Sequence, residues 1–180
     1  MKKILFSLML TLVAFGGAFA QSTGKNDVAV GYQFTRQDVK FERPVLAFDE
    51  NTDSHGFYVN GAHYFDKDGI VGLTGDVGVS VDSNEASLVT AMGGLTLKAR
   101  NAKYVQPFVQ VLGGVARQHV NRQNILDTTD VTGAFAVGGG VDVQFSSDAK
   151  VKFQLGANYL NTGFGGQRQS GAQFRAGLVF

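Results

Sequence analysis

Beyond Gln21 the chain alternates apolar and polar or small residues with a period of two, and no segment keeps the 3.6-residue stripe of an amphipathic helix. Val28, Val30, Tyr32 and Phe34 alternate with Ala29, Gly31, Gln33 and Thr35. The clearest ladder sets Leu73, Gly75, Val77, Val79 and Val81 against Gly72, Thr74, Asp76, Gly78 and Ser80. Others run from Val89 to Leu97, Val105 to Val111, Phe135 to Phe145, Val151 to Tyr159 and Ala172 to Phe180. With a less regular stretch from Phe57 to Phe65, the pattern predicts about eight strands of about 9 to 11 residues, the length a tilted strand needs to cross a bilayer. In that second stretch the Phe57, Val59 parity is assigned to lipid. Pro107 cannot donate a ladder hydrogen bond, so it is expected near a strand start or a bulge.

The connections are expected to alternate. Gln37 to Asp53, Gln118 to Asp130 and Asn161 to Ser170 read as long loops, and Asp82 to Ala86 as a shorter one. The intervening turns at Asp66 to Gly69, Arg100 to Asn101 and Ser146 to Asp148 read as tight. This is the rhythm of an all-β, eight-stranded antiparallel up-and-down transmembrane β-barrel with its tight turns at one end. The mid-ladder positions assigned to lipid carry no Lys, Arg, Asp or Glu, and the opposite face carries Asp76, Lys98, Gln106, Gln110, Asp142, Lys152, Gln154, Asn158, Gln173 and Arg175. A charge at mid-bilayer on the lipid side costs about 2 to 4 kcal/mol for Lys or Arg, which accounts for the asymmetry. Phe65, Tyr104, Phe145 and Phe180 fall at the tight-turn end, as an interfacial aromatic girdle requires.

One long apolar run departs from the alternation. Ile4 to Phe15 follows Lys2 and Lys3 and precedes the small-x-small triplet Ala18, Phe19, Ala20. At 12 positions it is too short for a membrane anchor, so residues 1–20 read as a secretory signal peptide cleaved after Ala20, and 21–180 as the barrel domain. The 180 residues include 24 Gly and no Cys or Trp, which excludes a disulfide scaffold or a thiolate metal site. Loss of Lys2 and Lys3 leaves 14 basic against 15 acidic groups, a balance that disfavours nucleic acid as a partner.

An eight-stranded barrel is just wide enough for side chains to fill it, so the inward charges are expected to pair. A turn centred on Ser146 to Asp148 would set Asp142 opposite Lys152. Those two with Arg175 are expected to form one lumen cluster, joined by Asp76 and Lys98 or with these as a second. His55, His63 and His119 lack the spacing to a serine that would put both side chains on one strand face, and no two histidines have close ligand spacing. No catalytic constellation, metal site or cofactor is expected. Gly138 to Gly140 lacks the following Lys-Ser or Lys-Thr of a phosphate loop. In the first long connection Val45, Leu46 and Phe48 form an apolar patch among charges of both signs, a candidate contact with a partner or the lipopolysaccharide layer.

The C-terminal run Gly171 to Phe180, with Phe174, Leu178 and Phe180 on one face, resembles the signal by which the Gram-negative outer-membrane assembly machinery engages a barrel's last strand. Gln106-Pro107-Phe108-Val109 and Gly138-Gly139-Gly140-Val141-Asp142 are similar to stretches recurring in small outer-membrane β-barrels of the porin-like and opacity-protein superfamily. The resemblance implies an outer-membrane location after export, periplasmic chaperones in transit, the barrel-assembly machinery, and contact with outer-membrane lipid and lipopolysaccharide. The expectation is a non-enzymatic barrel whose surface loops contact the envelope or an external partner of unknown identity. A narrow or gated transport barrel, a lipid-modifying enzyme and a soluble lipocalin-like binder are the alternatives.

Overall fold

A computed structural model describes residues 25–43, 46–66, 70–82, 86–100, 102, 104–122, 125–145, 151–163 and 169–180. The signal segment, with Ala18 and Ala20, and Val45 lie outside the described residues. Eight strands follow in chain order: β1 (Asn26–Arg43), β2 (Leu46–Tyr64), β3 (Val71–Asp82), β4 (Ala86–Lys98), β5 (Val105–Arg122), β6 (Ile125–Val143), β7 (Lys152–Thr162) and β8 (Gln169–Val179). Each pairs antiparallel with its chain neighbours, and β8 closes on β1.

The pairing climbs as it goes round. Val28 lies opposite Gly61, followed by Gly75, Gly93, Gly113, Phe135, Asn161 and Ser170, which pairs with Asp38, ten residues along β1 from the start. That stagger accompanies strongly tilted strands.

The alternation sorts residues as the sequence pattern predicts, with the polarity of a water-soluble protein inverted. Val77, Leu95, Val109, Leu155 and Phe174 are about half exposed on the outside, and Asp76, Asp142, Lys98 and Arg175 are buried inside. In the second strand Phe57 faces out and Tyr58 and Tyr64 face in. Such an exterior is stable against hydrocarbon, and the closed ladder satisfies the backbone without an edge. Phe65, Tyr104 and Phe145 are exposed at the end where both ends of the barrel chain lie. Pro107 is the third residue of β5, where its missing donor is tolerated.

The two kinds of connection differ from the sequence expectation. The long odd connections are largely strand: only residues 44–45 separate β1 from β2, 123–124 separate β5 from β6, and 83–85 separate β3 from β4. The connections at the other end, at 65–70, 99–104 and 144–151, are longer than these three, and the fourth odd connection, 163–168, remains a connection of similar length. Leu46 and Phe48 therefore stand in β2, with Leu46 opposite Arg43 and Phe48 opposite Phe41, not in an open loop. The reason is that a strand beyond the bilayer needs only a partner for its backbone. Beyond the bilayer neither face has to meet hydrocarbon, so the apolar alternation that betrays a membrane strand can lapse. The pairs β1–β2 and β5–β6, of 18 or 19 residues per strand against 11 to 13 in the others, thus project as hairpins. Seven extra residues add about 20 Å of strand length.

Candidate functional site: the lumen and the outer rim

The polar interior is arranged in tiers. At the end opposite the hairpins, the ends of the strands bring together Asp27, the second residue of β1, Lys98, the last of β4, and Asp142 near the end of β6. Lys98 Nζ donates to Asp27 Oδ2 at 2.6 Å and forms an ion pair with Asp142. Arg100 Nη2 adds a contact to Asp27 Oδ1 at 3.4 Å, with its guanidinium over the Tyr64 ring. Lys152, the first residue of β7, donates to Gln106 Oε1 at 2.9 Å.

The second tier lies at mid-strand. Arg175 meets Asp76 in a two-pronged ion pair, Nη1 to Oδ2 at 2.5 Å and Nη2 to Oδ1 at 2.9 Å. Asn60 Nδ2 donates to the same carboxylate at 3.1 Å, and Arg175 Nη2 also reaches Gln173 Oε1 at 3.3 Å. Paired fork geometry with further donors around the carboxylate is the condition under which a buried ion pair offsets its desolvation. The guanidinium lies 4.7 Å from the Tyr58 ring centre. Tyr58 Oη donates to Gln154 Oε1 at 2.9 Å, and Gln154 Nε2 donates to Asp142 Oδ1 at 2.9 Å, so one hydrogen-bonded chain links both tiers.

Toward the hairpins the buried residues described are uncharged: Thr35, Thr90, Thr162, Gln37 and Gln169, and an apolar cluster of Leu88, Met92, Leu112, Ala116, Ala134, Ala136 and Leu160. A cavity of ≈ 20 Å³ remains among Asp27, Asn60, Lys98, Gln110 and Arg175, room for about one water molecule.

This geometry corrects two expectations. Asp142 pairs in register with Gln154, not Lys152, because the β6–β7 connection is displaced from the assumed turn. The shift is two residues, so all side chains keep their faces while the partners change. Arg175 belongs with Asp76, and Lys98 with Asp142, so the membership of the two clusters is exchanged. Asp27, Tyr58 and Arg100 were not among the expected cluster. Asp27 shares the inward parity of Ala29 and Gln33 but stands just before the ladder begins.

The histidines sit on the outside. His55 is hydrogen-bonded to Tyr32, His63 Nδ1 lies 2.7 Å from Asn26 Oδ1, and His119 Nδ1 lies 3.1 Å from Thr129 Oγ1. Among the described residues no group of three His, Asp or Glu is placed to hold a metal. Phe174 and Leu178 face outward on β8, and Phe180 exchanges backbone hydrogen bonds with Val28, its N to Val28 O at 2.9 Å and Val28 N to Phe180 O at 3.2 Å.

No family model matches the chain, and no curated protein matches it. Solved structures do. Neisserial surface protein A (NspA) superposes with a TM-score of 0.65 at 13% identity, covering 86% of this chain and 96% of that one. Ail, the attachment invasion locus protein of Yersinia pestis, superposes at 0.54 and 13% identity, covering 86% and 97%. The same protein in complex with the heparin analogue sucrose octasulfate gives 0.51 at 15% identity and the same coverage. The fold of this chain is therefore that of the small eight-stranded outer-membrane β-barrels.

Proposed function

We propose that the protein is a non-enzymatic outer-membrane barrel of a Gram-negative bacterium that holds two β-hairpins at the cell surface, where they contact the envelope or an external partner. The observation that carries this reading is the contrast between a lumen closed by ion pairs and a pair of strands, twice over, that run past the lipid-facing band. A filled lumen suits an anchor better than a channel, and it leaves the projecting hairpins as the surface available for recognition. Export with cleavage after Ala20, passage with periplasmic chaperones and insertion by the barrel-assembly machinery complete the proposed route.

Planar-bilayer recording of the folded protein tests the reading. The expected result is a membrane that stays silent after insertion is verified by heat-modifiable migration on an SDS gel. Discrete conductance steps would replace the anchor with a narrow transport barrel.

A further inference from the structure

Across the lipid-facing band the outward strand faces are almost free of charge, and among the residues whose side chains are described they carry Arg36, Asp53 and Arg117. Arg36 and Asp53 lie directly opposite one another on β1 and β2, with Nε and Oδ1 3.7 Å apart, and so offset each other. Among the described residues Arg117 on β5 has no such partner: its cross-strand neighbours are Val89 and Val131. An exposed guanidinium standing between two valines at the edge of a hydrocarbon band calls for an anion.

The row next to it, one step toward the hairpin tips, supplies suitable company. Ser87, His119 and Thr129 lie opposite one another on β4, β5 and β6 and face outward with Arg117, the last two hydrogen-bonded to each other. Guanidinium, hydroxyl and imidazole groups together suit a phosphate, which accepts several hydrogen bonds. On the other side of Arg117 the surface dips at two glycines next to Val115, Gly133 across from it and Gly113 after it. Gly113 and Gly133 each leave the space where a side chain would begin without a neighbour within 4 Å. An acyl chain can therefore lie in the dips beside and below Val115, on the membrane side of the cationic group.

From this juxtaposition we infer that the outer face of β4–β5–β6 binds a phosphorylated lipid of the surface leaflet, the lipid A part of lipopolysaccharide, with Arg117 on a phosphate and an acyl chain over Gly113 and Gly133. The assignment to that leaflet rests on the reading given above that the long hairpins point out of the cell. Charge complementarity selects the occupant: a second copy of this chain would present the same cation or bare apolar surface.

Native mass spectrometry of the folded protein with added lipid A tests the site. Wild type is expected to retain bis-phosphorylated lipid A about tenfold better than Arg117→Gln, the loss expected for one charge-assisted phosphate contact. Arg117→Lys should recover part of it, and Arg36→Gln should behave as wild type. Dephosphorylated lipid A should bind wild type as weakly as the intact lipid binds Arg117→Gln. Equal retention by wild type and Arg117→Gln would overturn the proposal, as would equal retention of phosphatidylglycerol, which would make the ligand a phospholipid headgroup. Protease accessibility of the hairpins in whole cells checks the orientation separately, and an unchanged heat-modifiable band for Arg117→Gln shows that the barrel itself is intact.

Discussion

Tyr58 and Gln154, 96 residues apart in the chain, meet inside the barrel through a 2.9 Å hydrogen bond, with the Arg175 guanidinium resting on the tyrosine ring. Tyr58→Phe keeps the ring under Arg175 and leaves Gln154 Oε1 without its donor. The expected loss is about 1 to 2 kcal/mol in denaturant unfolding from lipid. Tyr58→Ala should cost more, about 3 to 5 kcal/mol, because it also opens a cavity. Equal losses would mean that the hydroxyl carries the whole effect and the ring contact none.

The Asp76–Arg175 pair lends itself to a double-mutant cycle. Asp76→Ala and Arg175→Met each leave a buried charge uncompensated, at about 3 to 5 kcal/mol, and the double variant should regain part of that loss. Strictly additive losses would show that the ion pair is not formed.

Lys98 and Lys152 differ although both face the lumen near the same end. Lys98 compensates Asp27 and Asp142, whereas Lys152 donates to the neutral amide of Gln106. Lys98→Met is therefore expected to destabilise by at least about 2 kcal/mol more than Lys152→Met, measured by the same unfolding experiment. Similar values for the two would displace Lys98 from the centre of the lower tier.

Glycines on the two faces answer different demands. A Cβ on Gly113 would meet open space outside, and a Cβ on Gly140 would lie 2.7 Å from the Gly156 Cα inside. Gly113→Ala should leave the yield of heat-modifiable protein unchanged, and Gly140→Ala should lower it, because backbone cannot step aside cheaply. The reverse order would contradict the face assignment of β5 and β6.

The last residue closes the barrel through its backbone, which sets up a separate comparison. Deleting Phe180 removes both of its hydrogen bonds to Val28, and Phe180→Asp keeps them while placing a charge at the interface. Both variants are expected to insert less efficiently in vivo, the deletion more so, as read from folded protein in outer-membrane fractions. Wild-type levels for both would remove Phe180 from any part in closure.

Which residues face lipid and which face the lumen was legible from alternation alone, even at Phe57 and Tyr58, because burial on one side and hydrocarbon on the other write a period of two into the sequence. Partnership inside the lumen was not. Whether Asp142 meets Lys152 or Gln154 depends on a two-residue difference across a turn, and that difference leaves the hydrophobic pattern untouched. The projecting hairpins escaped for the opposite reason: from Gln37 to Asp53 the sequence mixes charges of both signs with Val39, Phe41, Leu46 and Phe48 in no alternation that separates strand from loop. Asp27 was hidden by its position, one residue ahead of the first apolar step. Arg117 stood at the end of its strand, just before the stretch read as a loop, and nothing in the alternation singled it out.

Arg175 comes to Asp76 across 99 residues of sequence, from the final strand to the third. Until β8 docks, every intermediate in which β3 is already in place holds an acid facing the unfinished interior without its cation. Water must stay there to solvate it, so the centre of the barrel can dry only in the step that zips the last strand to the first. Closure and desolvation become one event. A chain broken off before residue 175 would lack both the strand that ends the ladder and the charge that lets the lumen seal, a reason for the fold to be all or nothing at its C-terminal end.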